Sequence, residues 1–277
     1  MSTPQPFGAQ AFHDFEQAGW ERAARFYVDS FGPLTIQTAP ALLDAVGAGP
    51  GTRILDVACG PGFIAAAAAE RGAVVAGLDF ASAMIDEATR RHPRIAFRQG
   101  DAEALAFEDA CFDAVTMNFG MLHLARPDAA IAEAWRVLRP GGRYGFTVWA
   151  GPDRAAGFGM ALRAIERYGN SQVPLPEGPP FFRFSDANGT RQTLEEASFL
   201  DVEIRELPLV WVLTSSGDAF HAFTDGGVRT AAVLRAQTPA ALDAIREAVR
   251  RDVEAFKSGA GYEIPMPAVL ASGRKAG

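Results

Sequence analysis

The sequence predicts an α/β fold built on a doubly wound, mostly parallel sheet. Between residues 50 and 150, five apolar, strand-like segments alternate with helical segments, and this order is typical of a parallel sheet covered by helices on both faces. The first of these strands runs directly into a glycine turn and an alanine-rich helix. The chain has 277 residues, 48% of them hydrophobic and 21% charged. This length and composition suit one full α/β domain with insertions.

The segment from Ile54 to Ile64 predicts a buried strand, a tight turn and the start of a helix over 63–70. Gly60 and Gly62 permit the turn and let a ligand lie against bare backbone. Residues 60–65 satisfy the loose dinucleotide pattern G-x-G-x-x-G/A, but lack the Gly-Lys-Ser/Thr ending of a P-loop. Asp56 at the carboxyl end of the strand disfavours a pyrophosphate and favours a cationic ligand. An ordinary strand–turn–helix stays a further interpretation.

Two more strand ends carry polar side chains. Asp79 ends the strand over 73–79, and an acid at this position can accept both hydroxyls of a ribose or can cap the helix over 82–91. The strand over 111–118 ends at Asn118, followed by Phe119 and His123. Because the carboxyl ends of parallel strands face the ligand crevice, we expect these three residues near the reacting group.

Together these motifs resemble class I S-adenosylmethionine-dependent methyltransferases, in the type 11, ubiquinone/menaquinone-methylase-like group. The resemblance covers residues 50–150 and includes the helix, Pro-Gly-Gly turn and strand that end at Trp149. It implies a Rossmann-like sheet of seven strands with an antiparallel seventh, and S-adenosylmethionine as cofactor with S-adenosylhomocysteine as product. The expected cofactor-binding residues are Asp56, Ala58, Cys59, Gly60, Gly62, Asp79, Phe80, Met84, Gly100, Asp101, Ala102, Asn118 and Phe119.

The resemblance also implies individual roles around the adenosine. Phe80 and Met84 would border it, and Asp101 would accept from the exocyclic amine of adenine. The backbone N–H of Ala102 would face a ring nitrogen. Asp101 as a plain turn acid stays the alternative. Cys59 fits a small packing residue better than a nucleophile.

The chain is expected to divide into three segments. The division predicted is an N-terminal helical cap over 1–48, a cofactor-binding core over 49–150, and a remainder over 151–277 with substrate-lid insertions near 151–190 and 215–260. Residues 1–11 are expected to form a loose tail. Trp20 and Tyr27 lie on one face of a helix ended by Gly32-Pro33; this face either packs on the core or caps the cofactor, and the resemblance favours a cap.

In the C-terminal half, the pattern predicts a short helix over 194–198, one strand over 202–213, one helix over 218–236 and a last strand over 264–273. Asp128 is a candidate N-cap of the helix that follows Pro127. Four prolines exclude a helix over 173–184. Phe182, Phe184 and His221 are assigned to the substrate lid, with a core or surface position as the competing interpretation of His221.

The predicted function is methyl transfer to a small, aromatic or lipophilic molecule, at oxygen or carbon. His123 is the candidate general base, and its alternative role is to orient the loop after strand four. The alternatives are a nicotinamide-dependent oxidoreductase, disfavoured by Asp56 and by the missing Tyr-x-x-x-Lys signature, and a non-catalytic module that binds S-adenosylmethionine.

Net charge, apolar runs and cysteine content argue against nucleic-acid, membrane and metal partners. The formal net charge of −7 gives no footprint for nucleic acid or an anionic membrane. No apolar run approaches the ~20 residues of a membrane span. Two cysteines cannot form a disulfide framework, and no His/Asp/Glu cluster has metal-ligand spacing, so no metal is expected. Without a signal-peptide pattern, we expect a cytoplasmic monomer or homodimer whose partner is a small methyl acceptor.

Overall fold

A computed structural model describes residues 8–277, in which strands and helices alternate from Arg53 onward. The strands are β1 (Arg53–Val57), β2 (Val74–Asp79), β3 (Ala96–Gln99), β4 (Phe112–Asn118), β5 (Leu138–Trp149), β6 (Phe199–Leu207), β7 (Val210–Leu213), β8 (Lys257–Ser258), β9 (Gly261–Pro265) and β10 (Ala268–Lys275). The helices are α1 (Ala9–Tyr27), α2 (Gly32–Thr35), α3 (Ala39–Ala45), α4 (Phe63–Glu70), α5 (Ser82–Arg91), α6 (Pro127–Val137), α7 (Ala156–Tyr168), α8 (Ala187–Glu196), α9 (Asp218–Asp225), α10 (Arg229–Arg235) and α11 (Pro239–Val253).

Seven strands form one sheet in the order β3-β2-β1-β4-β5-β10-β6. β10 runs antiparallel to both of its neighbours, and the other six strands are parallel. The predicted seven-stranded, mostly parallel sheet is therefore confirmed. The strand order reverses between β1 and β4, and such a reversal opens a crevice at the carboxyl ends of the strands.

The central strands form because their side chains are apolar and are covered on both faces. Ile54, Leu55, Ala114 and Val115 are fully buried, and they belong to one continuous hydrophobic core. Strands buried on both faces read as unbroken apolar runs, in contrast to the alternating pattern of half-exposed strands. This explains why β1 and β4 could be identified from the sequence.

The N-terminal segment differs from expectation at both of its ends. α1 already begins at Ala9, so residues 9–11 of the predicted tail over 1–11 are helical. Residues 1–7 of that predicted tail lie outside the described part of the chain. α1 ends at Tyr27, and Gly32-Pro33 opens α2, where the prediction had these residues end a helix. Proline suits a first helical turn because the N–H it lacks has no partner there in any case.

Proline and glycine also divide three predicted elements. The predicted strand over 202–213 is two strands, β6 and β7, because Pro208 has no N–H to donate to a ladder. The last strand likewise splits at Pro267 into β9 and β10, and β9 joins β7 and β8 in a separate three-stranded sheet. The predicted helix over 218–236 is interrupted at Gly226 and Gly227 and forms α9 and α10.

One helix start, one N-cap residue and one strand start were also wrong. α8 begins at Ala187, well before the predicted Leu194, because the Asp186 side chain accepts a hydrogen bond from the Gly189 N–H at 2.8 Å. Asp128 is not the N-cap of α6; its carboxylate pairs with Arg183 at 2.7 Å. The Pro-Gly-Gly segment was predicted as a turn between α6 and the next strand, but it is part of β5, which begins at Leu138.

Within residues 8–277, no helix combines the length and the apolar character needed to cross a membrane. The division into a cap, a cofactor core and a lid-bearing remainder stays a prediction.

Candidate active site

A cavity that opens to solvent lies above the carboxyl ends of β1, β2 and β4. Its wall joins the glycine loop after β1 to aromatic side chains from α1, the segment after β5, and α9. The predicted residues in this wall are Trp20, Tyr27, Asp56, Ala58, Cys59, Gly60, Asp79, Phe80, Met84, Gly100, Asp101, Ala102, Asn118, Phe119 and His123.

The glycine loop is a tight turn whose backbone occupies the left-handed region. Gly60 and Gly62 have φ of +51° and +82°, and Ala58 has φ of +51° despite its side chain. A Cβ at Gly62 would lie 2.8 Å from the Phe97 ring, so this glycine is required for packing as well as for conformation. Gly62 does not line the cavity, whereas Ala58 and Gly60 do.

Asp79 connects the glycine loop to the end of β2 by a hydrogen bond. One carboxylate oxygen accepts from the Gly60 N–H at 2.9 Å, and the other accepts from the Ala81 N–H at 3.0 Å. Burial raises the pKa of Asp79 to about 6, although these hydrogen bonds act in the opposite direction. Asp79 therefore presents a buried carboxylate to the cavity, with lone pairs still available.

Asp56 is a second buried carboxylate in the same wall. It accepts from the Thr116 hydroxyl at 2.8 Å and from the Ala65 N–H at 3.1 Å. Burial is the main cause that raises the pKa of Asp56 to about 7. Across residues 8–277, neither Asp56 nor Asp79 forms a salt bridge. Two buried acids without a cationic partner suit a ligand that carries positive charge.

The region beside β2 and β3 is mostly apolar and includes one acid. Phe80, Met84 and Ala102 line it, and one carboxylate oxygen of Asp101 accepts from the Glu103 N–H at 2.8 Å. His13 of α1 covers this region: its ring meets Phe80 edge-on at 5.6 Å, and its Nε2 lies 3.5 Å from the other oxygen of Asp101. α1 thus closes one side of the site.

The opposite part of the cavity is an aromatic chamber, formed by the rings of Phe31, Phe119, Trp149, Phe158, Phe181 and Phe223. Phe119 and Trp149 lie 4.1 Å apart between ring centroids, and Phe158 contacts Trp149, Phe181 and Phe223 at about 5.5 Å. Such packing fixes ring orientations because aromatic pairs prefer tilted and offset geometries. Of these six residues, only Phe119 was among the predicted site residues.

Asn118 is held by three threonine contacts at the boundary between the two parts of the cavity. Its side-chain oxygen accepts from the hydroxyls of Thr38 and Thr147, and its amide donates to the Thr35 carbonyl at 3.2 Å. The Tyr27 hydroxyl bonds to the Thr35 hydroxyl at 2.9 Å, and burial raises the pKa of Tyr27 to about 12. Both side chains are therefore fixed within the wall.

Three residues assigned to the lid lie outside the cavity wall. Phe182 packs behind the wall against Phe158 and Phe181. Phe184 is buried in the core against Phe146, and His221 is exposed on α9. Phe184 and His221 therefore lie away from the cavity, and α9 directs Phe223 toward the cavity and His221 toward solvent. Burial raises the pKa of the Cys59 thiol, in keeping with a packing role.

A buried polar cluster lies beside the aromatic chamber. His123 bonds through Nδ1 to Glu16 of α1 at 2.9 Å, and Arg229 of α10 contacts the other Glu16 oxygen at 2.7 Å. Sequence reasoning missed both partners. Glu16 lies four residues before Trp20, on the same helical face, so a signal for it existed; nothing local indicates Arg229. Within residues 8–277, no group of three His, Cys, Asp or Glu side chains is arranged to hold a metal.

Comparison with known proteins identifies the family. The family described as "Methyltransferase domain" matches residues 54–142, which span β1 to the beginning of β5. Demethylmenaquinone methyltransferase of Renibacterium salmoninarum is 36% identical over 175 residues, which cover 60% of this chain and 74% of that protein. The chain belongs to the class I S-adenosylmethionine-dependent methyltransferases. The cofactor of this methyltransferase is S-adenosylmethionine, as the resemblance in the central motifs implied.

Further similarities agree with this family and fold. Demethylmenaquinone methyltransferase of Beutenbergia cavernae is 48% identical over 103 residues, which cover 37% of this methyltransferase and 43% of the relative. A structure of phosphoethanolamine N-methyltransferase 2 of Haemonchus contortus in complex with S-adenosyl-L-methionine superposes with a TM-score of 0.59 at 18% identity, covering 96% of this chain and 60% of that chain. At this identity the similarity shows the fold alone. The oxidoreductase alternative is not favoured.

Proposed function

We propose that this methyltransferase acts on a small aromatic or lipophilic molecule that binds in the aromatic chamber. The chamber carries this proposal, because six aromatic rings adjoin the loop that faces the cofactor. Clefts lined mainly by apolar and aromatic groups bind small molecules by burying most of their surface. The relatives in the comparison are named for demethylmenaquinone, a lipophilic methyl acceptor, and this supports a lipophilic small molecule as the acceptor here.

For the cofactor, each part of the cavity wall has a proposed role. Asp79 would accept from the ribose hydroxyls with the lone pairs that Gly60 and Ala81 leave available. Phe80 and Met84 would border the adenine, and Asp101 would accept from its exocyclic amine. Asp56 would favour the positively charged methionine end.

When bound, S-adenosylmethionine supplies an activated methyl group and a good leaving group. The protein then has to orient the acceptor and exclude water. Correct positioning alone can lower such a barrier by about 7–11 kcal/mol. Asn118 and Phe119 lie where the two parts of the cavity meet, and we assign them to positioning the acceptor beside the methyl group. His123, in the same wall, is the proposed general base.

The remaining predictions about partners belong to this proposal. Because the net charge is −7, we propose that the substrate is not a nucleic acid. We also propose a cytoplasmic location and a monomeric or homodimeric protein.

The test is a transfer assay with S-adenosylmethionine that carries a tritiated methyl group. The purified protein is incubated separately with a lipid extract, a small-molecule extract, a protein fraction and an RNA fraction from bacterial cells. We expect label in organic-soluble small molecules, with reduced demethylmenaquinone and catechols as defined acceptors. Label confined to the protein or RNA fraction would contradict the proposal.

A further inference from the structure

Glu16 is a fully buried carboxylate that connects three separate parts of the chain. One oxygen lies 2.9 Å from Nδ1 of His123, and the other lies 2.7 Å from Nε of Arg229. Its side chain is 0% exposed, and that of His123 is 15% exposed. A buried charge is retained only where its partners compensate for its lost hydration, so this geometry requires both partners.

Arg229 is held rigidly on the far side of this carboxylate. Its two terminal nitrogens donate to the backbone carbonyls of Pro179 at 2.9 Å and Leu122 at 2.6 Å. The guanidinium group also lies 4.4 Å from the centre of the Phe12 ring. Three of the five N–H groups of Arg229 are thus engaged by the protein, and its positive charge lies against the Glu16 carboxylate and holds it in place.

The hydrogen bond to Glu16 determines which nitrogen of His123 is available. An ionised carboxylate only accepts, so the neutral imidazole must carry its proton on Nδ1. Nε2 then has the free lone pair, and among the described residues it forms no hydrogen bond. Trp20 fixes the ring plane by an edge-on contact at 4.8 Å, and Phe181 contacts it at 6.1 Å. The ring lies in the cavity wall.

We infer that Glu16 is a positioning residue that holds His123 as a general base for an acceptor with an ionisable hydroxyl. The inference rests on the proposed function. The hydroxyl proton passes to Nε2 of His123, and the oxygen electron pair forms the new O–CH3 bond. The electrons of the broken S–CH3 bond stay on sulfur. The imidazolium that results faces the Glu16 carboxylate, which stabilises it.

The first experiment reads the tautomer directly in the cofactor-free protein. Nitrogen-15 NMR of histidine-labelled protein at pH 8.5, where an ordinary imidazole is neutral, shows which ring nitrogen carries the proton. The His123→Gln variant assigns the signal among the four histidines. We expect a proton on Nδ1 of His123 in the wild type, and its loss in Glu16→Ala. A proton on Nε2 in the wild type would overturn the inference without any variant.

The second experiment separates positioning from folding. Glu16→Gln keeps the shape of the side chain but removes the charge, and Asp14→Asn makes the same change on the exposed face of α1 as a matched control. With catechol, a weak acid, we expect kcat to fall about 10–100-fold in Glu16→Gln, within the range that general bases contribute. With the more acidic 4-nitrocatechol the loss should be less than about threefold, because less proton abstraction is needed.

The outcomes distinguish the inference from the proposed function. An equal loss with both catechols would indicate a merely structural Glu16 and would contradict the inference, as would unchanged activity in Glu16→Gln. If no small molecule accepts a methyl group, the proposed function fails, while the tautomer measurement still decides the role of Glu16. A fall of kcat in Asp14→Asn equal to that in Glu16→Gln would also count against a specific role.

Discussion

The buried acids Asp56 and Asp79 make cofactor affinity depend on pH. In the cofactor-free protein, burial raises the pKa of Asp56 to about 7 and that of Asp79 to about 6. A cationic methionine end beside Asp56 and ribose hydroxyls that donate to Asp79 both favour the ionised carboxylates. Binding must therefore release the protons that these groups hold, and affinity must weaken as the pH falls.

The size of the effect follows from the fraction of each group that is protonated. By proton linkage, the need to deprotonate Asp79 weakens cofactor binding about fourfold at pH 5.5 relative to pH 8. The need to deprotonate Asp56 weakens it about 30-fold over the same range. The expected weakening for S-adenosylhomocysteine is about 100-fold when both groups ionise. Near pH 6.5 the two protonated fractions add up to about one proton released on binding, by the same linkage.

Isothermal titration calorimetry measures both quantities. Titrations from pH 5.5 to 8 give the affinity, and titrations at pH 6.5 in two buffers of different ionisation enthalpy count the protons released. In Asp79→Asn the fourfold share of Asp79 should disappear, whereas the share of Asp56 and any pH dependence of the ligand itself persist. A constant dissociation constant across this range, or no proton release at pH 6.5, would refute the linkage.

Three further predictions concern stability and the chamber. Because the folded-state pKa values of Asp56 and Asp79 lie above the unfolded value of 3.8, the free energy of unfolding without cofactor should fall as the pH rises from 4.5 to 7; urea titrations showing the reverse would contradict this. Gly62→Ala should lose about 1–3 kcal/mol of stability, because its φ is +82° and a Cβ would meet Phe97; an unchanged urea midpoint would count against it. Phe158→Leu should raise the KM of an aromatic acceptor about tenfold, by loss of aromatic contacts, with S-adenosylhomocysteine affinity unchanged. An unchanged KM would exclude Phe158 from acceptor binding.

Local sequence patterns predicted well the strands, glycine turn and helices that surround the candidate cofactor site. α4 and α5 begin and end at the predicted residues, Phe63 to Glu70 and Ser82 to Arg91. The strand, glycine turn and helix are contiguous, so their geometry depends on residues that lie next to one another in the chain. Asp79 could be placed because it directly ends the neighbouring strand.

The aromatic chamber and the polar cluster depend instead on contacts between distant segments. Glu16 and Arg229 are 213 residues apart, and no periodicity indicates that a carboxylate on one helix meets a guanidinium on another. β7 and β9 illustrate the same limit, because an apolar run predicts a strand without indicating its partner. The orientation of His221 could not be predicted, because the rotation of α9 is determined by packing around Phe223.

We propose above all that the cavity above β1 and β2 holds S-adenosylmethionine through Asp56, Asp79 and the glycine loop. The most direct measurement is a calorimetric titration of the purified protein with S-adenosylhomocysteine and, separately, with NADH at pH 7.5. We predict binding of S-adenosylhomocysteine at micromolar concentration with one site per chain, and no heat of binding for NADH. Binding of NADH alone would contradict the account, because the two buried carboxylates would then face a pyrophosphate.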